Sequence, residues 1–338
     1  MTETPAANTP KVSVVSITYN HERYIRDALD GFVAQQTDFP VEVIVADDAS
    51  TDDTPKIITE YANRHPDLFV PILRSRNVGL HGNLTGALSA TRGEYLAFCE
   101  GDDYWTDPLK LTKQVRFLDR HPETSVCFHP ARVIWEGDTS KETKFPSIYL
   151  RGNMSVNTLC LSNFISNTSQ MYRRLPDCDN IPAGFAATDW YLHMRHALHG
   201  DVAMLPETMS VYRRHAQGMW TDHARNSTKF WTEHGAGHAA MSEAMLDLIA
   251  GDEVRESLLA VSANFFLSNI EKLPGPEGRA ILLDTIARYP RFAVLAMQHR
   301  SLKLIPALRI IKRMLAAYAP TKKGLVDLYP IRRITPQR

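Results

Sequence analysis

The apolar and polar positions of the first hundred residues keep two alternating rhythms. Val12–Thr18 (VSVVSIT) is β-branched and almost continuously apolar, which predicts a strand buried on both faces. Ile25, Ala28, Leu29, Phe32 and Val33 then fall at i, i+3, i+4, i+7 and i+8, the stripe of a helix with one buried face. Val41–Ala46 (VEVIVA) predicts a second strand, closed by Asp47 and Asp48. Thr54 followed by Pro55 reads as a helix start, with a hydroxyl to cap the first turn and a proline that loses no hydrogen bond there. Ile57, Ile58, Tyr61 and Ala62 give that helix its apolar face. Phe69–Leu73 predicts a third strand, Leu84–Ala90 a third helix and Tyr95–Cys99 a fourth strand.

Strands alternating with helices imply right-handed crossovers and a mostly parallel α/β sheet covered on both faces. Ligands of such sheets bind beyond the carboxyl ends of the strands. The residues there suit a site: Tyr19-Asn20, Asp47-Asp48, Arg74–Asn77 and Glu100–Asp103. After Trp105 the rhythm loosens. Ser125–Trp135 reads as a strand pair or one long strand, and the charged, Gly/Ser/Thr-rich Glu136–Asn157 as a mobile loop. Thr188–His199 predicts a helix stopped by Gly200; Ala203–Leu205 and Ser210–Arg213 predict short strands. Phe230–Ile249, Arg255–Ile270 and Arg279–Tyr289 predict a helical C-terminal extension. The chain is therefore read as a disordered lead (1–10), an α/β domain (11–222) and a helical extension (223–338).

Composition narrows this picture only a little. Apolar residues make up 44% and charged residues 22%, as in soluble globular proteins, and the formal net charge is zero, so no nucleic-acid partner is expected. Cys99, Cys127, Cys160 and Cys178 form no CxxC pair and read as buried thiols of a reducing compartment. The polar lead MTETPAANTP has neither the basic nor the apolar segment of a signal peptide. No apolar run approaches the roughly 18–20 residues of a spanning helix, so any membrane contact is expected to be peripheral. The charge that exists is concentrated at the end: from Arg291 to Arg338 there are eleven Lys/Arg and one acid, Asp327. Within it, Leu302–Tyr318 carries an apolar stripe with Lys303, Arg309, Lys312 and Arg313 largely off it. That pattern fits a helix on an anionic membrane surface and, equally, a helix packed on the core with a solvated basic face.

The chemistry starts with Glu100-Gly101-Asp102-Asp103. Three carboxylates in four residues at a strand end repel one another, and a divalent cation with oxygen ligands, Mg²⁺ or Mn²⁺, relieves that repulsion. A solvated acidic turn would look the same. Asp48 sits where acidic residues of nucleotide-binding sheets meet a ribose or a base, although Ala49-Ser50-Thr51-Asp52 is good turn chemistry regardless. No GxGxxG follows the first strand and no GxxxxGK[ST] occurs, which weighs against a dinucleotide oxidoreductase and a P-loop NTPase. Asp189, after Thr188, either caps its helix or serves as a base kept ionised by the helix dipole. His193, His196 and His199 lack a fourth zinc ligand and read as structural or surface residues; His234 and His238 are left unassigned. Trp220 is either a sugar-stacking residue or a packed core residue.

Ser13–Asn20 (SVVSITYN), Val45–Asp52 (VADDASTD), Asn77–Asn83 (NVGLHGN) and Phe98–Trp105 (FCEGDDYW) occur in this order, followed by Ala187–Gly200 and Val211–His215 (VYRRH). Together they resemble family 2 glycosyltransferases, which have a GT-A fold, over roughly residues 11–220. The resemblance implies that Thr18, Tyr19 and Asn20 line a nucleotide pocket, with Tyr19 on the base. Asp48 would contact the base, and Asn77 and Asn83 would shape the ribose-diphosphate side. Glu100, Gly101 and Asp102 would form the family's DxD element, Asp102 binding the metal with His215, Asp103 in reserve. Asp189 would be the catalytic base. Two residues depart from the common pattern, Ile17 for Pro and Glu100 for Asp, and one extra residue separates Trp105 from Pro108. The implied activity is inverting transfer from a nucleotide-diphosphate sugar, UDP preferred, with Mn²⁺ or Mg²⁺. The acceptor would be a saccharide or a lipid-linked saccharide in the cytoplasm, with 302–338 as the segment that could meet the inner face of the membrane. A non-catalytic nucleotide-sugar-binding subunit is the alternative; intact Asp102 and Asp189 argue against it.

Overall fold

The computed structural model describes residues 9–146, 154–216, 218 and 227–301. The first half follows the predicted rhythm: β1 (Val12–Thr18), α1 (Ile25–Val33), β2 (Val41–Asp47), α2 (Thr54–Arg64), β3 (Phe69–Leu73), α3 (Gly79–Ser89) and β4 (Tyr95–Phe98). Next come β5 (Tyr104–Trp105), α4 (Lys110–Arg120), β6 (Thr124–Phe128), β7 (Ala131–Trp135), β8 (Asp138–Phe145) and α5 (Val156–Leu161). They are followed by β9 (Met171–Arg173), α6 (Thr188–Ala197), β10 (Asp201–Met204) and β11 (Ser210–Arg214). Four helices close the described chain: α7 (Ser227–Leu248), α8 (Glu253–Ile270), α9 (Gly275–Arg288) and α10 (Pro290–Ser301).

The main sheet has the order β10-β6-β9-β4-β1-β2-β3. Its pairings are parallel except at β9, which runs antiparallel to both β4 and β6. β1 lies inside the sheet and every residue of it is buried, which explains its unbroken apolar run. The register sets Thr18 beside Asp47 and Asp47 beside Leu73, so the strand ends form one edge. A second sheet, β5-β11-β7-β8, stands beside it. One apolar cluster runs from Val15 of β1 to Phe292 and Ala296 of α10, so the C-terminal helices share the core of the main sheet.

Several expectations change in detail. Ser125–Trp135 is two strands in two different sheets. The segment from Glu136, read as a loop, holds edge strand β8, paired antiparallel with β7; its polar sequence hides it because an edge strand needs no buried face. α3 begins at Gly79, five residues before Leu84. Thr54 does not cap α2 with its side chain. Instead its Oγ1 accepts from His21 N–H at 2.9 Å, tying the end of β1 to α2. All four cysteines are free and buried, as expected. Residues 1–8 of the lead, Trp220 and the basic segment 302–338 lie outside the described residues. Among the described residues no helix is long and apolar enough to cross a membrane.

Candidate active site

The acidic turn after β4 is pinned to β1. Gly101 N–H donates to Ile17 O at 3.0 Å. A Cβ added at Gly101 would lie 2.6 Å from Thr18 Oγ1 and 2.8 Å from Ile25 Cδ1, so only glycine fits between its two acidic neighbours. β5 follows this turn and pairs with β11, Ser210 opposite Trp105 and Val211 opposite Tyr104. Asp103 Oδ1 also accepts from Arg213 N–H at 2.8 Å. Both contacts dock the end of β11 on the turn and bring His215 Nε2 to 2.9 Å from Asp102 Oδ2. A second imidazole, His21, places its Nε2 3.9 Å from the same oxygen.

Asp189 lies in the first turn of α6, where its Oδ2 accepts from Asn163 Nδ2 at 2.9 Å. Asn167, four residues on in the same loop, donates to Glu100 Oε1 at 2.6 Å. Glu100, Asp102, Asp103, Asn163, Asn167 and Asp189 all line one cavity of about 350 Å³. Crowding acids in a poorly solvated space moves their protons. Burial, with the charges of Asp102 and Asp189, pushes Glu100 up to about 8. Burial and Asp102 hold Asp103 well above the usual carboxylate range. Burial also acts to raise Asp102, but the His215 hydrogen bond and the charges of His21 and His215 outweigh it and hold Asp102 low. Asp189 is raised by burial against the pull of Asn163. The helix dipole expected to keep Asp189 ionised is thus outweighed by desolvation.

The residues expected around the nucleotide are gathered at the ends of β1, β2 and β3, outside that cavity. Asp48 Oδ1 accepts from Val78 N–H at 2.8 Å and Oδ2 from Gly79 N–H at 2.9 Å, so the carboxylate caps α3. Asn77 Oδ1 accepts from Gly79 N–H at 3.0 Å. Asn83 Nδ2 donates to Ala46 O at 2.8 Å, and its Oδ1 accepts from Arg74 Nε at 2.8 Å. Asn20 is in the left-handed region, φ 55°, and its Oδ1 accepts from Thr51 N–H at 2.8 Å. Thr18 is buried, and Tyr19 is 44% exposed at the end of β1. His193 and His196 are buried behind Asp189. His193 Nδ1 is hydrogen-bonded to Tyr172 Oη, and His196 stacks on the Tyr172 ring at 4.1 Å, which is the structural role expected of them.

The family model for glycosyl transferase family 2 matches residues 13–216, a span that contains every one of these side chains. The chain belongs to glycosyl transferase family 2. An uncharacterized protein of Mycobacterium tuberculosis is 58% identical to this glycosyltransferase over 289 residues, 86% of this chain and 83% of that protein. The putative glycosyltransferase EpsE of Bacillus subtilis is 33% identical over 166 residues, 49% of this chain and 59% of that protein. The structure of Staphylococcus aureus TarS residues 1–349 in complex with UDP-GlcNAc superposes with a TM-score of 0.61 at 22% identity, over 84% of this chain and 83% of that one. The mannosyltransferase PcManGT of Pyrobaculum calidifontis, in complex with GDP-Man and Mn²⁺, gives 0.55 at 21% identity, over 92% and 85%. At such identities the likeness shows a shared GT-A fold.

A divalent metal, as in the archaeal complex, can be tested against this glycosyltransferase's own residues. Asp102 and His215 converge, and Asp102 Oδ1 is buried without a hydrogen-bond partner, which fits a cation ligand. Among the described residues no group of three or more His, Cys, Asp or Glu could hold an ion. The pair therefore fits a hard ion whose remaining ligands are waters and diphosphate oxygens, not a closed protein cage. Sequence reasoning missed His21, Asn163 and Asn167. Asn163 and Asn167 lie in an irregular loop that no periodicity marks, and His21, whose backbone N–H donates to Thr54 Oγ1, meets Asp102 across a long-range contact.

Proposed function

We propose that this glycosyltransferase moves a sugar from a UDP-sugar to a hydroxyl of a saccharide or lipid-linked saccharide, with inversion at the anomeric carbon. One observation carries the reading: two carboxylates in opposite electrostatic settings share one cavity. Asp102 is held ionised by imidazoles, and Asp189 is made more basic by burial. The acceptor oxygen forms its bond to the anomeric carbon as its proton passes to Asp189. The bond from that carbon to the donor's phosphate oxygen breaks, and its electron pair leaves on the nucleoside diphosphate. Asn163 orients the Asp189 carboxylate for this transfer. Asp102 and His215 are the residues that would hold Mn²⁺ or Mg²⁺; when bound, the ion neutralises charge on the diphosphate. Glu100, held by Asn167 beside Asp102, is placed to contact the donor. Tyr19 is exposed for stacking on the nucleotide base, and UDP as that nucleotide is supported by the UDP-GlcNAc complex of TarS.

The test is Asp189→Asn. Transfer from UDP-sugars should fall by about 10²–10⁴-fold, the usual contribution of a positioned base, with UDP affinity retained. Turnover near that of the parent would sink the base assignment.

A further inference from the structure

The cavity that holds the carboxylates has a second lining of a different kind. Leu80 from the start of α3, Trp190 from α6, Trp231 from α7, and Phe265 and Phe266 from α8 face it. Trp190 directly follows Asp189, so the apolar wall begins one residue from the base. Its only polar atom is occupied: Nε1 donates to Leu159 O at 2.7 Å. Phe266 sits edge-on to Trp190 at 5.9 Å and 6.0 Å from the ring of Trp231, which makes the wall a packed block. Trp231, Phe265 and Phe266 lie beyond residue 216, where the family match ends.

Tyr19, Asp48 and Asn77, proposed to meet the base and ribose, are absent from the lining, whereas Asp102 and Asp189 are on it, so the cavity lies at the reacting end and not at the base. Its volume, about 350 Å³, is within the range of small-molecule sites, about 300–1,000 Å³. Hydroxyls pressed on the rings of Trp190, Trp231 and Phe266 would lose hydration there, while the polar lining of the cavity includes Ser166, Asn167 and His238. An acceptor with apolar carbon there would gain from burial instead. We propose that the acceptor carries an apolar group beside its reacting hydroxyl, and that the α6–α8 wall is the subsite that selects it. This rests on the reading of Asp189 as the base. The same chemistry comes from an alkyl or isoprenoid chain on a sugar or from the methyl group of a deoxysugar.

Saturation-transfer NMR on the full chain separates these. The probes are n-octyl β-D-glucopyranoside below its micelle concentration, methyl α-L-rhamnopyranoside and methyl β-D-glucopyranoside. Octyl-chain protons, or the rhamnoside C6 methyl, should be saturated strongly and methyl glucoside weakly; which of the first two responds names the source. Phe265→Ala and Leu80→Gln, at partly exposed positions on two different elements, should each weaken that probe on the order of tenfold. Equal binding of all three probes, binding of none, or unchanged binding of the responding probe in both variants overturns the subsite. Calorimetry with UDP and Mn²⁺ on the same samples keeps the two readings apart. Variants that bind UDP normally but lose the probe support the subsite. A parent chain that binds the probe but no nucleotide sinks the transferase reading on its own.

Discussion

Two aspartates close two strands of the same sheet edge, and they are used in opposite ways. Asp48, after β2, gives each of its oxygens to a backbone N–H of α3. Asp102, after β4, shares one oxygen with His215 and keeps the other buried without a partner. The contrast extends to their neighbours. Asn20, Asn77 and Asn83 around Asp48 are tied into the backbone, whereas Glu100, Asp103 and Asp189 around the cavity all have raised proton affinities. The end proposed to meet the nucleotide is already organised by its own hydrogen bonds. The acidic end keeps carboxylates of raised proton affinity and one unpartnered oxygen, a setting that would suit the proposed cation and diphosphate.

The largest test of that contrast is Asp102→Asn. Turnover should drop about a hundredfold or more, the scale of losing a group that stabilises developing charge, while the fold is retained. Chelation of divalent ions should cost the parent enzyme as much and the variant little more. Equal sensitivity of both to chelation would remove Asp102 from the metal site.

Burial perturbs a further group at the start of α4, Lys110. Its Nζ is buried 4.2 Å from the ring of Trp105, and burial pushes the amine down to about 7. Between pH 7 and the ordinary lysine value of 10.5, the unfolded chain holds a proton that the folded chain lacks. Stability should therefore rise with pH across that window. Relative to Lys110→Met, the melting temperature of the parent should climb from pH 7 to pH 10. Parallel curves would show that Lys110 stays charged when folded.

Gly101→Ala should destabilise by about 1–3 kcal/mol, since its Cβ would press on Thr18 and Ile25. A urea midpoint within error of the parent would mean that the turn yields freely. At the quiet end, Asp48→Ala should cost about 1 kcal/mol through the lost cap of α3. If the melt is unchanged and only UDP binding falls, Asp48 serves the ligand and not the helix, and the contrast between the two ends disappears.

Much of the sheet was legible because β1, β2 and β4 are buried on both faces and read as apolar runs. α4 was not, although Leu111, Val115 and Leu118 keep a helical spacing, because the buried Lys110, Thr112 and Gln114 beside them read as a solvated face. Gln114 Nε2 donates to Ser169 O at 2.9 Å, so the polar residues hold the inserted strand region together from within. β9, three residues long, is too short to carry a period. In the site, the acidic turn and Asp189 stood out as residue types at element ends. Their convergence depends on the β5–β11 pairing and on the Asn163–Asn167 loop, both long-range contacts that no local window contains. The contribution of α7 and α8 to the cavity was invisible for the same reason.

That contribution divides the enzyme's labour along the chain. The strand ends and their carboxylates fall within residues 13–216, while much of the aromatic wall is supplied by helices that follow. If the wall selects the acceptor as proposed, such a molecule could diversify by parts: replacing the trailing helices would change what is glycosylated and leave the strand-end carboxylates in place. On that proposal, acceptor choice would be an exchangeable attachment to a constant sheet edge.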